Sequence, residues 1–164
     1  MKTKLITILS GLILLSGCMT LETPYRPYID PATGKSASGG GYVDKEIREG
    51  VYEVEFQPNG HTKKQKTEDF TLLRAAEITL LNGMTHFKIL DWDRGITSYS
   101  KPANFVEPTI TTTWNVSKME IEILNKPKTN GSEIYDAKKV YGELKLKYEL
   151  DKLVEPADLR DATR

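Results

Sequence analysis

Thr67-Glu68-Asp69-Phe70-Thr71-Leu72-Leu73-Arg74-Ala75-Ala76-Glu77-Ile78-Thr79-Leu80-Leu81-Asn82-Gly83 carries the strongest helical pattern in the chain. Phe70, Leu73, Ala76 and Leu80, with Leu72 beside them, recur at helical spacing and make a broad apolar stripe. The pattern predicts a helix over 67–82, capped by Thr67, with Glu68 and Asp69 in its positive first turn and Gly83 as its left-handed stop. Such a stripe must lie on something, and the flanking text supplies strands. Val51-Tyr52-Glu53-Val54-Glu55-Phe56 alternates apolar and charged residues, so Tyr52, Val54 and Phe56 share a face. Pro58-Asn59-Gly60 stops it as a turn. On the other side, His86-Phe87-Lys88-Ile89-Leu90 reads as a second strand.

Further along, 93–108, with Gly95, Pro102 and Pro108, reads as a long loop. Residues 111–124 read as a third strand region, because Met119, Ile121 and Ile123 alternate with Lys118, Glu120 and Glu122. Pro127 and Asn130-Gly131 mark the turn that follows. From Asp136 the text is ambiguous: Ala137, Val140, Tyr141, Leu144 and Tyr148 fit a helix, while Leu144, Leu146, Tyr148 and Leu150 alternate like a strand. A helix capped by Asp136 is the reading adopted, although Gly142 weakens it. The class expected is α+β: a small, mainly antiparallel sheet, with one central amphipathic helix and a C-terminal helix packed on one face.

The start of the chain carries a different message. Lys2 and Lys4 precede the apolar run 5–15, too short to span a bilayer as a helix before Ser16 and Gly17 interrupt it. Leu15-Ser16-Gly17-Cys18 then places the one cysteine of the chain directly after the small residues. This pattern resembles the lipobox of bacterial lipoproteins. The resemblance implies removal of 1–17, a diacylglyceryl thioether on Cys18, and acylation of the new amine. Several acyl chains on one residue anchor a protein durably, whereas one anchors it marginally. Met19, where an aspartate would mark inner-membrane retention in enteric bacteria, points to the outer membrane, facing the periplasm.

Removing that segment leaves 164 − 17 = 147 residues, enough for one core. Residues 18–41, rich in Pro, Gly, Ser, Thr and Tyr, read as a lipidated cysteine and tether that buries little; Tyr25 and Tyr28 could alternatively form a docking motif. Residues 42–155 form the expected single domain and 156–164 a polar tail. The precursor balances 23 basic against 23 acidic residues, and loss of Lys2 and Lys4 leaves 21 − 23 = −2. That net charge gives no drive toward nucleic acid or an anionic membrane face.

A stretch beginning at Gly41-Tyr42, continuing through Tyr52-Glu53-Val54-Glu55-Phe56, Asn59 and Thr62, and including above all Leu72-Leu73-Arg74-Ala75-Ala76-Glu77-Ile78-Thr79-Leu80, resembles a proteobacterial family of small lipoproteins of uncharacterised function. Pro58 departs from the glycine that relatives more often carry there. The resemblance implies a lipoprotein and brings no activity, cofactor or catalytic residue.

The chain has only two histidines, His61 and His86, and neither an HExxH run nor a nucleophile elbow nor a phosphate-binding glycine loop. No catalytic, cofactor-binding or metal set is expected, and the protein is read as a non-enzyme. Asp91-Trp92-Asp93 could hold a cation or a sugar, but a solvated strand end with Trp92 covering the core edge explains it better. Lys63-Lys64-Gln65-Lys66 reads as a solvated loop, with lipid phosphates or peptidoglycan carboxylates as the functional alternative. Arg74 and Glu77, three apart, are read as a structural pair. The function expected is a membrane-anchored binding or scaffolding module that recruits an envelope protein or a cell-wall partner through Arg94, Tyr99, Lys101 and Phe105. The alternative is a small hydrolase or small-ligand-binding lipoprotein with a site near the 91–105 loop.

Overall fold

The computed structural model describes residues 21–29, 33–36, 39–101, 110–125 and 134–150. Cys18, the signal segment 1–17, the turn at Pro127 and Asn130-Gly131, and the tail 156–164 lie outside the described residues. Strands β1 (Gly41–Arg48), β2 (Val51–Gln57), β3 (His86–Asp93), β6 (Ser117–Leu124) and β7 (Ile134–Asp136) form one antiparallel sheet in the order β1-β2-β6-β3-β7. Helix α1 (Lys64–Leu81) lies on β2, β6 and β3, and α2 (Ala137–Lys147) packs against α1. The fold is therefore α+β, with a central helix and a C-terminal helix on a small, mainly antiparallel sheet.

Strand alternation explains which face is covered. Tyr52, Ile121 and Ile89 stand in register across β2, β6 and β3, followed by Val54, Met119 and Trp92. Val54, Met119 and Ile121 are fully buried and meet Phe70, Leu73 and Ala76 of α1 in one apolar cluster. Between Ile89 and Asp91 the register shifts by one residue. This bulge leaves Leu90 exposed, keeps Trp92 on the core face, and puts Asp91 and Asp93 together on the wet face. Trp92 closes the core edge and donates from Nε1 to Ser117 Oγ at 2.9 Å.

Both helix ends repay attention. α1 begins at Lys64, three residues before the expected cap, and its N-cap Lys63 makes no side-chain bond. Thr67 instead turns back and donates to the Lys63 carbonyl, while Asp69 faces α2 rather than the first turn. Its C-terminus matches expectation. Gly83 has φ +72, and the amides of Gly83 and Met84 donate to the Leu80 and Thr79 carbonyls, a Schellman stop that favours glycine. In α2, Asp136 accepts from the Lys139 amide at 2.9 Å, the expected cap.

Two sequence expectations need correction. The stretch 93–108 is not one long loop: β4 (Ile96–Lys101) pairs with β5 (Ile110–Asn115) as a separate two-stranded ribbon. Residues 111–124 accordingly split at Val116 into strands of two different sheets. The reason is that Ile96-Thr97-Ser98-Tyr99-Ser100-Lys101 and Ile110-Thr111-Thr112-Thr113-Trp114-Asn115 carry no sustained apolar alternation to betray a strand. Thr and Ile still favour extended backbone. β1 was likewise silent, since its outer half, Asp44–Arg48, is exposed edge strand with four charged residues in five.

The segment read as burying little behaves differently at two residues. Thr23 and Tyr25 are buried, and Tyr25 joins the main core. The chain here lies along β1: the Tyr28 amide donates to the Tyr42 carbonyl and the Tyr42 amide to the Arg26 carbonyl, both at 2.8 Å. Gly41 permits this approach, because a Cβ there would stand 2.5 Å from the Arg26 oxygen. Among the described residues no helix is long and apolar enough to cross a membrane.

Candidate functional site

Two polar constellations stand out, one inside the molecule and one at its edge. The inner one is built on α1, where Arg74 and Glu77 lie one turn apart and meet at 3.0 Å. Arg74 Nε also donates to Asp44 of β1 at 2.8 Å, and its guanidinium lies 4.4 Å from the centre of the Tyr42 ring. The Tyr25 hydroxyl donates to the same Glu77 oxygen that Arg74 holds. The Tyr25 ring packs against Tyr42 and Phe70, with centroids 4.9 and 5.2 Å away.

Burial dominates the electrostatics of this cluster. It raises the Glu77 carboxyl above its ordinary range, although Arg74 and Tyr25 pull the other way. It pushes the Tyr42 phenol up to about 12 and the Tyr25 phenol well above its usual value. It works against the Arg74 charge too, but Asp44, with Tyr25 and Tyr42, more than restores it. Tyr25 and Arg74 both donate to one oxygen of Glu77, a buried residue. The constellation therefore clamps the N-terminal segment to α1 and β1. Sequence reading found the Arg74–Glu77 pair from its spacing. It missed Tyr25, Tyr42 and Asp44, which no local pattern connects to the helix.

A second ionic group joins the helices. Asp69 accepts from Gln65 at 2.9 Å, from the Tyr148 hydroxyl at 2.6 Å and from Lys147. Burial alone would raise the Asp69 carboxyl, yet these three hydrogen bonds hold it below its ordinary value. Nearby, Lys66 binds Glu22 at 3.0 Å and holds that carboxyl down.

The outer constellation is a cleft of about 470 Å³ where the ribbon leaves the body. Thr97 and Trp114, a cross-strand pair of the ribbon, form one wall with Val116. Glu55, Gln57 and Asn59 at the end of β2 form the other, and Tyr28 with Gly39 and Gly40 closes the side. Gln57 donates to Glu55 at 3.1 Å, and the Asn59 side chain is engaged with Leu21, His61 and Thr62. The Val116 amide donates to the Gly95 carbonyl at 3.1 Å and closes the ribbon's base. An aromatic wall opposite a carboxylate and amides can take a flat or hydroxyl-rich group.

Of the residues singled out for partner contact, Arg94 is exposed, its guanidinium 3.5 Å from the centre of the Trp92 ring. Tyr99 and Lys101 belong to β4, paired with Thr112 and Ile110. Phe105 lies outside the described residues. Tyr99 and Lys101 thus share β4, whereas Arg94 lies outside it, in the connection between β3 and β4. Asp91 and Asp93 are exposed on the outer face of β3, where Lys118 of β6 pairs with Asp93 across the strands. His86 is bonded through Nδ1 to the Thr85 hydroxyl at 2.8 Å, and His61 is far along the chain in the turn before α1. Among the described residues no three His, Cys, Asp or Glu side chains gather closely enough to hold a metal ion. No protein-family model matches the chain, and neither a curated protein nor a solved structure matches it.

Proposed function

We propose that the chain is a lipoprotein of the bacterial envelope, held by lipid on Cys18 at the periplasmic side of the outer membrane, and that it works as a non-enzymatic binding or scaffolding module. The observation that carries the binding half of this reading is the β4–β5 ribbon. Among the described residues its strands have only each other as strand neighbours. From Ile96 to Ser100 and from Ile110 to Asn115 it has no charged side chain, and Ile96 is 72 % exposed. Two strands alone are marginal in water, and uncharged open edges invite an added strand. An envelope protein that lends such a strand would complete the ribbon.

A photo-crosslinking residue at Ser98 or Thr113, both exposed, tests this in intact cells. One discrete protein adduct at these positions, missing when the probe sits at exposed Lys138 on α2, is the expected result. The same smear of products from both places would remove the ribbon from consideration. The cleft at its base favours one second reading, a small-ligand lipoprotein. In that case native mass spectrometry of the purified protein would find a retained small molecule, lost on Trp114→Ala, in place of the protein adduct.

A further inference from the structure

The body holds the N-terminal segment almost to the point of lipid attachment. The Leu21 carbonyl accepts from Asn59 Nδ2 at 2.8 Å, Glu22 is fixed by Lys66, and Thr23 is buried, its hydroxyl accepting from the Asn59 amide at 2.7 Å. Three peptide units separate Cys18 from Leu21, so covalent geometry keeps the two within about 11 Å. A lipidated Cys18 therefore cannot serve as a long leash. It pins one particular end of the domain to the bilayer.

That end is basic. Leu21 and Glu22 share an open hollow with His61, Lys63 and Lys66, and Lys64 follows in the first turn of α1. Lys63, Lys64 and His61 are exposed, and Leu21 is an apolar side chain 69 % exposed beside them. Among the described residues, Glu22 pairs with Lys66 and Glu68, at 3.8 Å, with Lys64, while Lys63 has no ion pair. The net charge of the whole chain hides such a local excess. Attraction to a charged surface fades over about 8 Å at physiological salt, and the short connection to Cys18 keeps the lysines near that range.

We infer that the end carrying His61, Lys63, Lys64 and Lys66 rests on the phosphate headgroups of anionic phospholipids in the membrane that holds the anchor. This rests on the lipoprotein reading of Cys18. It also places the ribbon, because Asn59, which holds Leu21, lines the cleft together with Thr97 and Trp114. The ribbon springs from the membrane-facing end, so its partner is met at the bilayer surface rather than deep in the periplasm.

The full lipidated chain in phosphatidylcholine vesicles, with and without phosphatidylglycerol, provides the test. Because Cys18 is the one native cysteine and is consumed by the thioether, His61→Cys and Glu49→Cys each give a single labelling site, Glu49 lying in the exposed turn between β1 and β2. A fluorophore at position 61 should be quenched by headgroup-labelled lipid at least about threefold more than one at 49 when phosphatidylglycerol is present. The contrast should shrink with Lys63→Glu plus Lys64→Glu, and equally with added salt on the unmutated surface. Equal quenching at 61 and 49 in a chain whose mass confirms acylation would overturn this orientation while leaving the anchor intact. A contrast that survives both charge reversal and salt would overturn the role of headgroup phosphates. A chain that carries no acyl group would overturn the anchor and the orientation together.

Discussion

Tyr25 shows how one side chain can tie a segment with no regular structure to a folded body. Its ring fills a place between Tyr42 and Phe70, and its hydroxyl is one of two donors to the buried Glu77 oxygen. Tyr25→Phe keeps the ring and removes the donor, so it should cost about 1.5–3 kcal/mol, as for a hydrogen bond to a charged acceptor. Urea unfolding at neutral pH measures this, and an unchanged midpoint would mean that Arg74 alone satisfies Glu77. Asp69, like Glu22, contributes acid sensitivity. Burial opposes its charge, but Lys147, Tyr148 and Gln65 hold the folded carboxyl below its ordinary 3.8. A folded value below the unfolded one means the contribution is complete above pH 3.8 and is lost as pH falls through the folded value. Glu77 has the opposite slope, because burial raises its carboxyl and favours the protonated form in the fold. Asp69→Asn should therefore lower stability at neutral pH and flatten its decline in acid, read from unfolding midpoints across that range. An acid decline as steep as that of the unmutated protein would assign the effect to other carboxyls.

The elements differ in how they are held. α1 is pinned by its apolar stripe: Leu73 is fully buried among residues of the sheet and α2. Leu73→Ala should cost about 2–5 kcal/mol, the range for a large-to-small change in a packed core, and a melting temperature that does not move would refute the packing described. α2 is held more lightly. It has a side-chain cap at Asp136 and buries Ala137, Val140 and Leu144, but Gly142 is exposed and Glu149 takes a left-handed φ of 53 at its C-terminus. The sequence was ambiguous here because the outer residues of α2, including Leu146 at 74 % exposure, do not follow burial. The ribbon is held least of all, since β4 and β5 have only each other as strand neighbours among the described residues. An element of this kind is suited to exchange partners at low cost.

At the scale of the whole molecule, the segment before β1 is part of the fold and not an appendage to it. Gly41→Ala would drive a Cβ to within 2.8 Å of Pro27 and Tyr28 backbone atoms, so it should release residues 21–29 at a cost of about 1–3 kcal/mol. Hydrogen exchange would register this as faster exchange at the Tyr28 and Tyr42 amides, and unaltered exchange would refute the close packing. The class, the central helix with its glycine stop, the strands at Val51 and His86, and the pairing of Arg74 with Glu77 were all legible in the amino-acid order. Each of these rests on contacts within one or two turns or on a face whose burial writes a period into the chain. Folding alone reveals that β1 closes the sheet edge, that β4 and β5 form a ribbon outside it, and that Tyr25, Asp44 and Tyr42 converge on Arg74 and Glu77. Those features join residues about 30 to 50 positions apart, or lie in strands whose sequence carries no sustained apolar alternation. Neither circumstance imposes a local pattern, because the free energy that fixes them comes from partners the chain meets only after it has folded.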